Sequence, residues 1–359
     1  MRIGIIGLPQ VGKTTLLKIL TSGHARAPHD ASPHVGVARV PEPRLDALAK
    51  IYQPKKVTPA QLEFLDGPAL TNEPEKDAAA LAHFRQVDAL AHVVRLFGDP
   101  NVGHLPGEVN PARDIANLET ELVWVDLDTA SKRLEKLEHE MKKARAPEAE
   151  HEHSALVKCR ERLAAETPLR AVAWMPEERR LLRGFMFFTA KPLLHVLNAG
   201  EQDSPRLAEL TQTHRLGALR DQPAVGVTPV CGKIEAELAE LEAAEAAELR
   251  ASYALQDSPH ERLLPELLRA LVLVTFFTVS EPECRAWLAH RGTTALEAAA
   301  QVHTDFAERF IKAEVIPWDQ LVATGGLAVA RAEGKIRLEG KDYGVQDGDV
   351  LYIRHAAHK

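Results

Sequence analysis

Residues 7–14 read G-L-P-Q-V-G-K-T and stand directly behind an apolar run, residues 3–6. The pattern is G-x-x-x-x-G-K-[ST], which cradles phosphate when a strand precedes it and a helix follows. Gly7 and Gly12 carry no Cβ, so the backbone can curl and aim its N–H groups at phosphate oxygens. Lys13 supplies positive charge for the outer phosphates and is the one side chain expected to act in catalysis. Thr14 supplies a hydroxyl for Mg²⁺. The loop residues expected to hold nucleotide are Gly7, Pro9, Gln10, Val11, Gly12, Lys13, Thr14 and Thr15. A helix over 14–20 follows, and the positive end of its dipole favours an anion.

Further short apolar runs lie at 62–65, 89–96, 193–197 and 224–230, with helical stretches between them. Such runs read as parallel strands buried on both faces. Their alternation with helices predicts a doubly wound, mostly parallel α/β sheet, with ligands at the carboxyl ends of the strands. Between Pro111 and Pro192 the pattern changes. Ile115, Leu118, Leu122 and Val125 are spaced by three and four, and Leu134, Leu137 and Met141 continue the stripe. Ala146-Pro147-Glu148 breaks this helix, and a second one carries Leu156 and Leu163. Two such helices predict an inserted antiparallel hairpin over 113–190. Residues 234–253, rich in Ala, Glu and Leu, read as one surface helix. After Val279, strand-like pieces at 315–316, 335–338 and 350–353 mark a small mixed α/β domain, and Asp347-Gly348 is a hairpin signal. The expected division is 1–112 with 191–278 as the nucleotide domain, 113–190 as the hairpin and 279–359 as the last domain.

At 359 residues and a net charge of −7, the chain is not basic overall. No DNA partner is expected, while a local basic patch facing RNA stays open. Cys159, Cys231 and Cys284 are isolated and odd in number, which suits a reducing compartment rather than a disulfide framework. The chain enters a strand at once, with no signal-peptide architecture. Its most apolar run, 268–278, is too short to span a bilayer. A cytoplasmic protein without membrane contact is expected.

Two further signatures concern the nucleotide. Asp66 ends the run 62–65 and fits an Mg²⁺ ligand acting through water. The usual continuation D-x-x-G is absent: the sequence is Asp66-Gly67-Pro68-Ala69, and Pro68 removes an N–H donor. After the run 193–197 comes Asn198-Ala199-Gly200-Glu201, where a guanine reader would carry N-K-x-D. Asn198, Ala199 and Glu201 are candidate base contacts. Glu in place of Asp, and no Lys, argue against strict guanine recognition.

With these residues in view, the chain resembles the YchF (Obg-like ATPase) family of translation-factor-class P-loop NTPases. The resemblance is carried by G-L-P-Q-V-G-K-T-T at 7–15, P-E-P-R-L-D at 41–46, H-V-V-R at 92–95 and V-N-P-A-R-D-I at 109–115. N-A-G-E at 198–201 is similar to the family's N-x-x-E. P-V-C at 229–231 is similar to the loop that closes over the base, adding Cys231 and Gly232 to the candidates. V-H-T-D-F at 302–306, G-K-D-Y at 340–343 and D-G-D-V at 347–350 are marks of its C-terminal TGS domain. The resemblance implies an ATP-preferring domain, a coiled-coil insertion, a β-grasp-like TGS domain, and association with ribosomes or RNA.

The departures are local. The family's first-switch Thr has no counterpart, since no Thr occurs between Thr21 and Thr58; Ser32 is the nearby hydroxyl. The second switch has one Gly, Gly67, before Asp88, and Ala78-Ala79-Ala80 favours helix over a mobile loop. Leu70 falls where GTPases place a water-positioning Gln, and no evident general base stands out among His24, His29, His34 and His83. His303 reads as a structural hydrogen-bonder, and Lys335, Arg337 and Lys341 as RNA contacts or a mixed solvated face. The expected function is ATP binding with Mg²⁺ and slow hydrolysis, linked to ribosome or RNA association. The alternative is a non-hydrolysing ribosome- or RNA-binding protein that holds nucleotide as a structural ligand.

Overall fold

A computed structural model describes residues 1–21, 34–71, 73–99, 102–104, 107–143 and 147–356. The chain opens with β1 (Arg2–Ile6), α1 (Lys13–Leu20) and β2 (His34–Arg39). It then leaves this sheet for α2 (Pro43–Tyr52) and β3 (Lys56–Thr58), and returns through β4 (Gln61–Asp66), α3 (Pro74–Ala82) and β5 (Ala89–Arg95). The long helices α4 (Pro111–Lys143) and α5 (Pro147–Ala164) follow, then α6 (Pro176–Leu182), β6 (Leu193–Asn198), α7 (Leu210–Thr213) and β7 (Val225–Val230). Helices α8 (Gly232–Leu238), α9 (Ala243–Ser252) and α10 (Pro259–Ala270) complete this part.

The strand order is β2-β4-β1-β5-β6-β7, and the pairs β1–β4, β1–β5, β5–β6 and β6–β7 are all parallel. Strands β5, β6 and β7 are buried at every position. Helices cover both faces, and the sequence accordingly shows unbroken apolar runs rather than alternation.

Helices α4 and α5 fold back on one another. Ala130, Leu134 and Leu137 of the first pack against Ala155, Leu156, Cys159 and Leu163 of the second. Removing a buried Leu from such a seam costs about 2–5 kcal/mol. Arg133 adds a two-pronged ion pair to Glu152 at 2.7 and 3.0 Å. At the base of the hairpin the fully buried Asp126 accepts from the N–H of Phe188 (3.0 Å) and from the N–H and hydroxyl of Thr189 (2.6 and 2.7 Å). Burial pushes its carboxyl up, and these three bonds oppose the shift.

Two compact units result: Met1–Ala38 with Leu62–Ala270, and Arg39–Gln61 with Leu271–Lys359. The second holds β8 (Leu273–Val279), β9 (Glu283–His290), α11 (Ala295–Val302), α12 (Thr304–Glu308), β10 (Phe310–Pro317), α13 (Trp318–Thr324), α14 (Leu327–Ala332), β11 (Arg337–Glu339) and β12 (Asp349–His355). Its sheet runs β11-β10-β12-β8-β9-β3 and is mixed: β8–β9 and β10–β12 are antiparallel, β12–β8 and β3–β9 parallel. Ala295 and Ala298 of α11 pack on Val274, Phe276, Val315 and Leu351. A capping box between Thr294 and Glu297 starts that helix.

Four sequence expectations shift. The second unit begins at Leu271, not after Val279. The apolar run 268–278 holds both the end of α10 and strand β8, and apolarity alone cannot separate them. Residues 39–61, expected in the nucleotide domain, supply β3 to the second sheet. The segment 234–253 is two helices, because Glu240 N–H to Glu237 O and Leu241 N–H to Leu238 O tighten and end α8. Asp347-Gly348 forms the turn before β12, whose partners are β10 and β8 rather than a neighbouring hairpin strand.

Candidate functional site

The loop between β1 and α1 takes left-handed backbone at Gly7 (φ +146°), Gln10 (+59°) and Gly12 (+102°). A Cβ on Gly7 would lie 2.7 Å from the Val93 carbonyl oxygen, and one on Gly12 would collide with the Asn198 amide. Lys13 Nζ donates to the carbonyls of Gly7 (3.1 Å) and Leu8 (3.0 Å), so the loop wraps its own ammonium. Burial lowers the Lys13 pKa, and Asp66 opposes the shift.

Parallel pairing of β1 with β4 sets Asp66 beside Ile5, at the carboxyl edge of the sheet. Thr14 Oγ1 donates to Asp66 Oδ2 at 2.7 Å. Asp66 Oδ1 is buried with no hydrogen-bond partner. A buried carboxylate oxygen left unsatisfied beside a hydroxyl suits a hard cation, which takes oxygen ligands. These residues therefore fit Mg²⁺, with nucleotide phosphate and water completing the shell. Among the described residues no group of three or more His, Cys, Asp or Glu could hold a metal by itself.

Asn198, at the end of β6, joins the phosphate loop to the start of α8. Its Nδ2 donates to the Val11 carbonyl at 2.8 Å, and its Oδ1 accepts from the Gly232 N–H at 3.0 Å. A Cβ on Gly232 would sit 2.6 Å from that oxygen. Both glycines that flank Asn198 are thus required by its side chain, a role beyond the phosphate approach read from the sequence. Ala199 is buried, its N–H bonded to Val230 O. Cys231 is fully buried, its Sγ donating to Gly200 O at 3.6 Å, and burial pushes its thiol up to about 11. Glu201, standing where a guanine reader has Asp, is half exposed and ion-paired with Lys233 of α8. Pro9, Gln10 and Thr15 lie at the accessible rim of the phosphate loop.

The second-switch segment is anchored. Leu70 is buried and donates its N–H to Gly7 O at 3.1 Å. Gly67 lies against Phe84, 2.6 Å from where its Cβ would be. Asp77, inside α3, accepts from Thr71 N–H (2.6 Å) and Thr71 Oγ1 (3.0 Å). The Ala-rich stretch is helical, as composition predicted. Ser32, His24 and His29 fall outside the described residues.

One pair was missed. His92 of β5 and His195 of β6 are in register, with their Nδ1 atoms 3.1 Å apart beneath the loop. Burial, then the nearby Lys13, lowers His92 to about 3; burial, then His92, also lowers His195 well below its ordinary value. A bond between two ring Nδ1 atoms needs one to donate and the other to accept. The signal in the sequence is a single His inside each of two apolar runs. Arg95, also buried, organises the loop after β5 through the carbonyls of Phe97 (2.9 Å), Val102 (3.0 Å) and Gly103 (3.0 Å). In the second unit His303 Nδ1 accepts from Asp305 N–H at 3.2 Å and caps α12, the structural role expected. Lys335 pairs with Glu333 at 2.7 Å, and Arg337 lies 3.6 Å from both Glu339 and Asp349, a mixed charged face.

Fold and loop together define a P-loop nucleotide-binding protein of the GTPase-like type, with an inserted helical hairpin and a β-grasp-like C-terminal unit. A family profile described as 50S ribosome-binding GTPase matches residues 2–146. The YchF-GTPase C-terminal profile, described as a protein of unknown function, matches residues 273–356. The chain is 37% identical to the ribosome-binding ATPase YchF of Bacillus subtilis (strain 168) over 98% of each chain. It is 32% identical to Obg-like ATPase 1 of Caenorhabditis elegans, covering 99% of this chain and 92% of that one. The structure of the Schizosaccharomyces pombe YchF GTPase superposes with a TM-score of 0.79 at 27% identity, covering 99% of this chain and 97% of that one. The chain belongs to the YchF/Obg-like ATPase family. No helix among the described residues is long and apolar enough to cross a membrane.

Proposed function

We propose that the protein binds ATP with Mg²⁺ in the loop 7–15, hydrolyses it slowly, and uses the bound nucleotide to control association with the ribosome or another RNA in the cytoplasm. The observation that carries this reading is the Thr14–Asp66 pair, with one Asp66 oxygen left without a partner beside the phosphate loop. Thr14 and Asp66 would hold the metal, which supplies charge neutralisation on the phosphates. Main-chain N–H groups of the loop and Lys13 hold the β and γ phosphates, Lys13 exchanging its present carbonyl partners for phosphate oxygens. Ala199, Gly200 and Glu201 line the base side. Asn198, Cys231 and Gly232 support that wall from beneath. Lys233 occupies the Glu201 carboxylate, so guanine loses the acceptor it needs and ATP is favoured. The names of the relatives quoted above support ribosome association. We read the hairpin and the C-terminal TGS unit as the surfaces that make it.

A second reading, nucleotide as a structural ligand without hydrolysis, is favoured by one observation: Leu70 is buried where a water-positioning side chain would stand. Calorimetric titration of the full chain with ATP, ADP, GTP and GDP in Mg²⁺, followed by single-turnover kinetics, separates these cases. ATP is expected to bind more tightly than GTP. GTP tighter by tenfold, about 1.4 kcal/mol, would overturn the assignment of base. Slow single-turnover hydrolysis supports the first reading, and none supports the second. Co-sedimentation with ribosomes in ATP and in ADP tests the partner.

A further inference from the structure

Beneath the phosphate loop, parallel register sets Ile6 of β1, His92 of β5 and His195 of β6 in a row. Gly7, the first residue of the loop, follows Ile6. A Cβ on Gly7 would lie 3.6 Å from His92 Cδ2, so that edge of the ring packs against the loop. The opposite edge turns to His195, with the two Nδ1 atoms 3.1 Å apart. Gly7 is also where the loop is tied together. Its carbonyl accepts from Lys13 Nζ (3.1 Å) and from the Leu70 N–H (3.1 Å). His92 is 3% exposed and His195 0%, and His195 Nε2 is buried without a hydrogen-bond partner.

That orphan nitrogen decides which ring donates. Burial lowers the pKa of both rings, which leaves one proton on each. If His92 donated, the proton of His195 would sit on Nε2, a buried N–H with no acceptor. If His195 donates, its Nε2 is a bare lone pair. A buried lone pair can still face polarised C–H groups, whereas an N–H without an acceptor has nothing to meet. Donation by His195 is therefore the less costly arrangement. It places the His92 proton on Nε2, next to Cδ2, on the loop side of the ring. An N–H there turns the positive end of its dipole toward an anion-binding loop, and the other tautomer would turn a lone pair to it.

We propose that His195 is a positioning residue of the phosphate loop: its Nδ1–H donates to His92 Nδ1 and so fixes His92 as the tautomer that presents Nε2–H beneath Gly7. The His92 ring then has one orientation and one polarity, and the loop that wraps the Lys13 ammonium rests on a fixed floor. The effect on nucleotide rests on the function proposed above. The tautomer and the order it gives the nucleotide-free loop do not.

The test is nitrogen NMR of the full chain, isotope-labelled at histidine, first without nucleotide. Protons are expected on His195 Nδ1 and His92 Nε2, with His92 Nδ1 bare and a scalar coupling between the two Nδ1 nuclei. His195→Phe keeps a flat ring but donates nothing. It should let His92 populate both tautomers, speed amide hydrogen exchange from Gly7 to Lys13 about tenfold, and weaken Mg²⁺-ATP binding about fivefold. His195→Asn, whose amide nitrogen can stand where Nδ1 stood, should restore all these properties. His195→Gln, whose amide reaches the Nε2 position instead, should not. A ring that only fills space predicts the reverse order, with Phe and Gln ahead of the smaller Asn. If His195→Phe does not fold, the parent's nitrogen signals and the Asn–Gln pair still decide. A proton on His92 Nδ1 in the parent, loop exchange unchanged in folded His195→Phe, or restoration by Gln equal to that by Asn overturns the proposal. A parent that binds no ATP yet shows these nitrogen signals and exchange rates removes the proposed function and leaves this inference standing.

Discussion

The phosphate loop and the second-switch segment meet at the same carboxylate, Asp66, yet they are built in opposite ways. The loop 7–14 uses left-handed backbone and main-chain carbonyls wrapped around the Lys13 ammonium, polar groups that a ligand could take over. In the segment that follows Asp66, the described polar contacts run to the protein itself. Leu70 is buried, and Thr71 is tied to Asp77 of α3. The half that would hold phosphate is preorganised. The half that would register the third phosphate is committed to packing. A protein with this division can bind nucleotide well and respond to its hydrolysis weakly, because a ligand shifts an equilibrium only by its differential affinity for the two states.

The largest expected effect tests the first half. Lys13→Ala removes a charged donor from the outer phosphates and should lower ATP affinity about a hundredfold, some 2.7 kcal/mol, with the circular dichroism spectrum unchanged. Unchanged affinity in a folded variant would mean the wrapped lysine is not released to phosphate. Next comes the staple. Asn198→Ala leaves the Val11 carbonyl and the Gly232 N–H buried without partners and should cost about 2–3 kcal/mol in urea unfolding. It should also weaken ATP binding, because the loop and the base-side wall lose their common support. A variant as stable as the parent would show that water replaces the amide.

Much of the first half was legible in the sequence. Strands β1, β5, β6 and β7 are buried almost throughout, so their apolar runs mark them within a residue or two, while β4 alternates and is marked by Leu62, Phe64 and Leu65. The G-x-x-x-x-G-K-T spacing fixes the loop because its glycines serve backbone geometry. What was not legible depends on partners distant in sequence. Strand β3, with Lys56 and an exposed Val57, carries no apolar run; only its pairing with β9 makes it a strand. The boundary at Leu271 is hidden because a helix end and a buried strand share one apolar stretch. His92 and His195 became a pair only once parallel register set them side by side. Asn198 reads from its motif as a candidate base contact; that its amide is bonded to the Val11 carbonyl and the Gly232 N–H depends on partners far away in sequence.

A smaller effect tests the second half. With Leu70 and Thr71 engaged, few groups remain to distinguish ATP from ADP. The two should differ in affinity by less than about tenfold, or 1.4 kcal/mol, and the tryptophan spectra of the two complexes should nearly coincide. A preference for ATP much beyond that, with Mg²⁺-dependent turnover, would mean residues outside this segment sense the terminal phosphate.

The smallest effect sharpens the comparison at the outer end of the second switch, where Glu121 faces Asp77. Its folded pKa, raised to about 7 by burial and by Asp77, lies above the ordinary 4.5. Between these values the folded protein binds more protons than the unfolded chain, so stability falls as pH rises from about 4.5 to 7 and levels off above it. Glu121 is only partly buried, and solvent screening reduces the contribution to about 1 kcal/mol. Glu121→Gln has no such proton to lose. The variant should match the parent near pH 4.5 and exceed it by that amount at pH 8, measured as the difference between the two urea-unfolding curves, in which other titrating groups cancel. A difference that stays flat with pH would show that the Glu121 carboxyl is not raised in the folded protein. The sense of the slope also separates this segment from the phosphate loop. In the loop, burial lowers the pKa of Lys13, and a cation lowered in this way loses stability as pH falls, the opposite direction from Glu121.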